Sequence, residues 1–207
     1  PEYPDTFWSY TYALRFIGKK AAFPPLGLLT VAALLPDEFQ KRLVDTNVDC
    51  LTDEDLSWAD MAFVGGMAVQ RDSAKQILAR CKQSGVKVIA GGPLFTAEPE
   101  AFGEVDHLVL DDAECTLPSF LEDLKNGCPK EIYRASGFCD LRHTPIPSWQ
   151  LRGSSRFSDP VLGSEFGAKN VSTTGTCCSG PYSASLGSCH WPSLWQYADI
   201  ITVKYVN

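Results

Sequence analysis

Short runs of strand length alternate with helix-like stretches along most of the chain. The strand-like runs fall at residues 41–45, 61–64, 87–90, 107–110 and 131–133. Amphipathic periodicity or helix-flanking residues predict helices at 23–36, 51–59, 71–84 and 114–126. Strands and helices in alternation are typical of a parallel sheet with right-handed crossovers and helices on both faces. The pattern therefore predicts an α/β fold.

Residues that commonly begin or end helices lie at the predicted helix boundaries. Prolines bracket the first helix, and Thr52 or Asp53 is the expected N-cap of the second. Gly85 and Gly127 follow the two longest amphipathic stretches, as expected for helix C-termini. The predicted boundaries are thus supported by capping residues as well as by periodicity.

Two neighbouring apolar strands end in paired glycines. Gly65 and Gly66 follow one strand, and Gly91 and Gly92 follow the next. The carboxyl ends of parallel strands meet at one edge of the sheet, where open α/β sheets bind ligands. Glycine lets a bulky ligand approach the backbone closely. Taken singly, each pair is explained more simply as a tight turn.

The composition changes after the predicted domain. Residues 1–143 are expected to form the α/β domain, and residues 144–150 form a Pro-rich linker. Residues 151–207 contain 10 Ser and 6 Gly and few charges, so we expect a largely irregular carboxyl-terminal tail. The stretch at 199–206 is its one regular pattern.

Charge and cysteine usage exclude several classes of protein. The net charge of −7 over 207 residues disfavours nucleic-acid binding, which depends on Lys and Arg. No apolar run is long enough for a membrane span, and the first residues do not resemble a signal peptide. The scattered cysteines of the domain predict free thiols in a reducing compartment. We therefore expect a cytoplasmic protein.

Four segments together carry a family resemblance: residues 1–8, 23–29, 51–55 and 91–93. They resemble the amino-terminal domain of cobalamin-binding (vitamin B12-binding) radical SAM proteins, close to the hopanoid methylases. The resemblance covers about residues 1–150. It implies a flavodoxin-like (Rossmann-like) sheet whose first, central strand lies just upstream of Pro1, so that strand is expected to be missing here.

The resemblance also implies a cobalamin held at the carboxyl edge of the sheet. The cofactor-binding residues carried over by position are Gly65, Gly66, Met67, Gly91, Gly92, Pro93, Asp111 and Glu114. Asp111 stands where the family usually has the glycine of a Gly-Glu-Ala-Glu segment, which puts close ligand approach at this loop in question. The alternative for Asp111, Asp112 and Glu114 is a set of carboxylates favoured at a helix N-terminus.

No residue is assigned to the cobalt atom. His107, His143 and His190 do not lie in the Asp-x-His-x-x-Gly motif of other cobalamin domains. We expect His107 and His143 to be ordinary structural or surface residues. Cobalamin would then be bound without a protein histidine or its own base below the cobalt.

The catalytic parts of the family are not evident in this sequence. A radical SAM enzyme uses S-adenosylmethionine with an iron–sulfur cluster, which the family holds in a Cys-x3-Cys-x2-Cys loop. Cys177, Cys178 and Cys189 lack that spacing, and together with His190 they also lack the usual spacing of a zinc site. No catalytic or metal-ligating residue is therefore predicted.

These observations predict a cobalamin-binding module of a radical SAM, methyltransferase-like enzyme, separated from the radical SAM barrel and not active alone. One alternative is a truncated, non-functional fragment. Another is a different flavodoxin-like domain, such as a flavin protein or a phosphoacceptor receiver. A receiver needs an aspartate where Gly65 and Gly66 stand.

Overall fold

The computed structural model describes residues 14, 16, 24–151 and 200–205. The strands are β1 (Phe39–Val44), β2 (Met61–Gly65), β3 (Lys87–Gly91), β4 (His107–Val109), β5 (Ile132–Tyr133) and β6 (Ile200–Tyr205). The helices are α1 (Leu26–Leu34), α2 (Asp53–Trp58), α3 (Arg71–Gln83), α4 (Pro93–Ala97) and α5 (Ala113–Lys125). Short 3₁₀ turns lie at Ala68–Gln70, Pro99–Phe102, Leu141–His143 and Trp149–Leu151.

The strands form one open sheet of order β1-β6-β2-β3-β4-β5. β2, β3, β4 and β5 are parallel, and β1 has the same direction because both β1 and β2 pair antiparallel with β6. Helices cover both faces. One apolar cluster gathers residues of α3 and α4, and a second gathers residues of α1 and α5. The predicted α/β, flavodoxin-like fold is confirmed.

The strand β6 lies in the interior of the sheet, as the second of its six strands. It pairs with all of β1, from Val44 opposite Ile200 to Phe39 opposite Tyr205, and on its other side with β2. Residues 200–203 are fully buried. A β-branched run buried on both faces is typical of an interior strand. Ile200–Tyr205 falls within residues 199–206, the one regular pattern of the predicted tail, and it belongs to the sheet. Residues 152–199 lie outside the described part.

β6 occupies the position between β1 and β2. It runs antiparallel to both neighbours, whereas β1 and β2 run in the same direction as each other.

The helix boundaries follow the capping residues. The Thr52 hydroxyl accepts a hydrogen bond from Asp55 N, and the Asp55 carboxylate accepts one from Thr52 N, which forms a capping box at α2. The helices α3 and α5 end just before Gly85 and Gly127. The helix α4 was not predicted, because five residues are too few to show a helical period.

The predicted linker at 144–150 packs against the domain. Ser148 is buried, and its backbone N–H donates to the Leu29 carbonyl of α1 at 3.0 Å. In the parts of the chain described here, no helix has both the length and the apolar character needed to cross a membrane.

Candidate functional site at the carboxyl edge of the sheet

The two glycine turns lie side by side at the carboxyl edge. Gly65 and Gly91 are register partners at the ends of β2 and β3. One residue further on, the Leu94 N–H donates to the Gly66 carbonyl at 2.8 Å. A Cβ at Gly92 would lie 3.6 Å from the Gly66 N and O atoms. The structure therefore brings these predicted glycines together.

Packing or backbone conformation favours glycine at three of the four positions. A Cβ at Gly91 would lie 2.5 Å from the Val109 carbonyl oxygen, so any side chain there would force β3 away from β4. Gly92 has a φ of +87°, which favours glycine. At Gly66 a Cβ would press on Leu94 at 3.1 Å. Turn and strand packing thus accounts for these three.

Gly65 differs from the other three. A Cβ at this position would meet only the Leu28 side chain, at 3.5 Å or more, which is ordinary van der Waals contact. The fold has room for a Cβ here, so packing does not explain the glycine at position 65.

Met67 and Pro93 complete the two turns. Met67 is partly exposed, and its backbone N–H donates to the side-chain oxygen of the buried Gln70 at 3.0 Å. Pro93 is exposed and is the first residue of α4. Both residues flank the glycines at the sheet edge.

A third loop joins this edge through Asp111. Its backbone N–H donates to the Thr96 hydroxyl at 3.0 Å, which links the loop after β4 to α4. Asp111 has a φ of 63° and is the one residue other than glycine in the described ranges with a positive φ. The position therefore has the backbone conformation that glycine adopts most easily, and glycine is the residue that the family resemblance places there.

Glu114 and Asp112 lie at the start of α5. Glu114 is partly buried, and its Oε1 accepts a hydrogen bond from the Thr144 hydroxyl at 3.2 Å. Asp112 occupies the N-cap position, but its side chain makes no capping hydrogen bond. Both carboxylates therefore lie at the N-terminus of α5, where negative charge is favourable even without a capping hydrogen bond.

Cys115 and Cys139 form a disulfide, with their Cα atoms 5.8 Å apart. The prediction of free thiols is wrong for this pair, because residues 24 apart in sequence give no local sign of their contact. Cys50, Cys81 and Cys128 are free, as predicted. Burial raises the pKa of the Cys81 thiol to about 11, as expected for a small core residue.

Residues 134–144, here termed the strap, lie across residues 111–114, here termed the acidic loop. The Ala135 N–H donates to Asp111 Oδ2 at 3.1 Å, and Cys139 and Thr144 bind Cys115 and Glu114. Within the strap, Arg142 hydrogen-bonds both carboxylate oxygens of Asp140 and holds the pKa of that group well below its ordinary value. Sequence reasoning missed the strap, since it has no periodic pattern.

Asp45 is a further residue that sequence reasoning missed. It follows β1 at the same edge of the sheet and is only 4% exposed. Its Oδ1 accepts from the Asn47 backbone and side-chain N–H groups at 2.9 and 3.0 Å. Its Oδ2 has no hydrogen-bond partner among the residues described. A buried carboxylate oxygen of this kind is uncommon, and an aspartate directly after a strand was its only signal in the sequence.

The two histidines in the described ranges, His107 and His143, lie beside polar groups of the protein itself. His107 opens β4, with its Nδ1 2.8 Å from the Lys130 carbonyl oxygen, and His143 is exposed 3.8 Å from Asp140. His190, Cys177, Cys178 and Cys189 lie outside the described ranges. Within those ranges, no three His, Cys, Asp or Glu residues are grouped so as to hold a metal ion.

Comparison with known proteins finds relatives named as a methyltransferase and a methylase. The chain is 42% identical over 153 residues to an uncharacterized methyltransferase of Synechocystis sp., covering 73% of this chain and 28% of that protein. It is 31% identical over 169 residues to the hopanoid C-2 methylase of Rhodopseudomonas palustris, covering 79% of this chain and 32% of that protein. The chain has methyltransferase-like relatives.

This chain therefore spans less than a third of the length of either methyltransferase. No protein-family model matches it. No solved structure matches it either.

Proposed function

We propose that this chain is the cobalamin-binding module of a radical SAM, methyltransferase-like protein. The observation that carries the proposal is the pair of adjoining glycine turns at the carboxyl edge of β2 and β3, where α/β sheets bind ligands. The methyltransferase-like relatives and the resemblance of residues 1–8, 23–29, 51–55 and 91–93 to the cobalamin-binding family support it.

The residues at this edge fit the chemistry of cobalamin. Its corrin ring bears amide side chains, and its nucleotide tail bears a phosphate. Glycine turns leave backbone N–H and C=O groups accessible to such a tail. Carboxylates accept hydrogen bonds from amide groups. Gly65, which packing does not explain, is the residue most directly assigned to close ligand approach.

Residues of three loops would share the binding. Gly65, Gly66 and Met67 line the first turn, and Gly91, Gly92 and Pro93 line the second. Asp111 and Glu114 supply carboxylates from the third loop, and Asp45 is a further buried carboxylate at the same edge. When bound, cobalamin supplies a cobalt atom that carries methyl groups. This chain's part is to hold it.

The test is an absorbance titration of the purified 207-residue chain with hydroxocobalamin, together with gel filtration. Saturable binding is expected. The Gly65→Ala variant should weaken it by about tenfold, or about 1.4 kcal/mol, with an unchanged melting temperature because its Cβ meets only Leu28. The matched control is Gly103→Ala, where a Cβ would have no neighbour within 4 Å, and it should bind like the parent chain.

A folded, monomeric chain that shows no saturable spectral change would refute the proposal. A yellow purified protein with flavin absorbance would instead favour the flavin-domain alternative. An aggregated chain without binding would favour the truncated-fragment alternative.

A further inference from the structure

We infer that Cys115 and Cys139 form a thiol–disulfide modification site that locks the strap over the acidic loop of residues 111–114. The disulfide joins the first turn of α5 to the strap across 24 residues. Cys115 is exposed and Cys139 is partly exposed, so a dithiol in solution reaches the bond. Access of this kind is what thiol–disulfide exchange requires.

The covalent bond is the main anchor of the strap. The hydrogen bonds between the strap and the acidic loop are two single ones, from Ala135 to Asp111 and from Thr144 to Glu114. The apolar side chains of the strap add little, because Phe138 is fully exposed and Leu141 is 42% exposed. A segment without buried apolar anchors opens readily once its cross-link is removed.

The exchange step has a defined balance. One thiolate of a dithiol, such as dithiothreitol or a thioredoxin-like protein, attacks the exposed Cys115 sulfur. The S–S bond breaks, and Cys139 leaves as a thiolate that takes up a proton. The second thiol of the reductant then attacks the mixed disulfide and releases Cys115 as a thiol. The protein gains two electrons and two protons, and the reductant becomes a disulfide.

The Cys115–Cys139 disulfide, here termed the lock, would control ligand binding at the proposed site. This consequence rests on the proposed function. The closed strap engages the carboxylates of Asp111 and Glu114, which are the acidic groups assigned to the ligand. The closed strap thus occupies one oxygen of each carboxylate, Asp111 Oδ2 and Glu114 Oε1, and leaves fewer acceptor sites for a ligand. Reduction frees both carboxylates, so the reduced chain should bind the ligand more tightly than the oxidised chain.

The first experiment measures the strap without any ligand. The full chain is treated with oxidised or reduced dithiothreitol, and the linkage is mapped by differential alkylation and mass spectrometry. Amide hydrogen exchange is then followed in the peptide that contains Ala135. Reduction is expected to speed this exchange about tenfold, since exchange reports local opening. The double variant Cys115→Ser/Cys139→Ser should exchange fast under both conditions.

The control variants are Cys50→Ser and Cys128→Ser, which replace exposed, free cysteines. Both should keep the redox dependence of the parent chain. If Cys115 and Cys139 remain alkylatable after oxidation, or if exchange at Ala135 is the same in both redox states, the lock does not exist. Because the parent chain is compared with itself, this result does not depend on how well the serine variants fold.

The second experiment measures hydroxocobalamin affinity without added reductant, which would react with the cobalt. The double serine variant should bind several-fold more tightly than the oxidised parent. If neither binds while the exchange rates differ, the proposed function fails and the lock stands. If both bind equally, the lock does not control the site.

Discussion

At the scale of single residues, the backbone of Asp111 is the most informative feature of the edge. An L-residue in the left-handed region costs about 1–2 kcal/mol, although aspartate tolerates it better than most. The carboxylate of Asp111 offsets part of this cost by accepting the Ala135 N–H. The family resemblance places glycine here, and glycine adopts this conformation without that cost.

Two substitutions at Asp111 should therefore behave differently. Asp111→Ala keeps the left-handed φ and loses the hydrogen bond, so we expect the free energy of unfolding to fall by about 1 kcal/mol. Asp111→Gly relieves the backbone and should leave stability unchanged or raise it by up to about 1 kcal/mol. Urea unfolding of the two variants decides the matter. An alanine variant more stable than the glycine variant would contradict this account of the loop.

Sequence reasoning reached part of the site at this scale. It placed Gly65, Gly66, Gly91 and Gly92 at one edge because strand ends and parallel direction are local signals, and the structure brings them together. It did not show that three of these glycines serve packing, since the Val109 carbonyl that excludes a side chain at Gly91 belongs to another strand. The Cys115–Cys139 contact was hidden for the same reason.

At the scale of elements, a polar cluster joins α5 to β5. Asp123 Oδ2 accepts a hydrogen bond from the Tyr133 hydroxyl at 2.9 Å and lies 3.1 Å from Lys130 Nζ. The Tyr133 hydroxyl in turn accepts the Lys130 backbone N–H at 2.7 Å. Hydrogen bonds from Lys130 and Tyr133 lower the pKa of Asp123 below its ordinary value of 3.8.

This cluster gives a prediction for acid stability. Because the folded-state pKa of Asp123 is lowered, its stabilisation is fully present above pH 3.8 and is lost as the pH falls through the folded-state value. The Asp123→Asn variant lacks this titration, so its stability should fall less steeply below pH 4 than that of the parent. Unfolding curves across the acid range test this. Glu122→Gln, at an exposed site on the same helix, should keep the parent's slope.

Most elements were predictable because their signals are local. The helix α3 was predicted from the spacing of Ala74, Ile77, Leu78 and Cys81. Leu78 is partly buried, and the other three are buried. The helix α4 was missed because it has only five residues. The place of β6 could not be read from its own sequence. Its register partners in β1 and β2 lie 136 to 166 residues away along the chain, and long-range pairing leaves no periodic signal.

At the scale of the whole molecule, β6 holds the two parts of the sheet together. β1 is hydrogen-bonded to β6, and β6 is hydrogen-bonded to β2. β6 therefore connects β1 to the rest of the sheet. The Thr202 hydroxyl adds a contact to the Arg42 carbonyl, and Asp60 binds the backbone of Val203 and Tyr205. The edge that carries Asp45 is thus aligned with the glycine turns through a strand from the opposite end of the chain.

The role of β6 leads to a prediction about global stability. Ile201 is fully buried between Leu43 of β1 and Phe63 of β2, its register partners. Ile201→Ala should lower the free energy of unfolding by about 2–5 kcal/mol, the usual range for a large core residue reduced to alanine. Lys204→Ala, at an exposed position of the same strand, should change it by no more than about 0.5 kcal/mol. Urea unfolding measures both. If the two variants have equal stability, Ile200–Tyr205 is not an interior strand of the folded protein, and the alignment of Asp45 with the glycine turns must arise in another way.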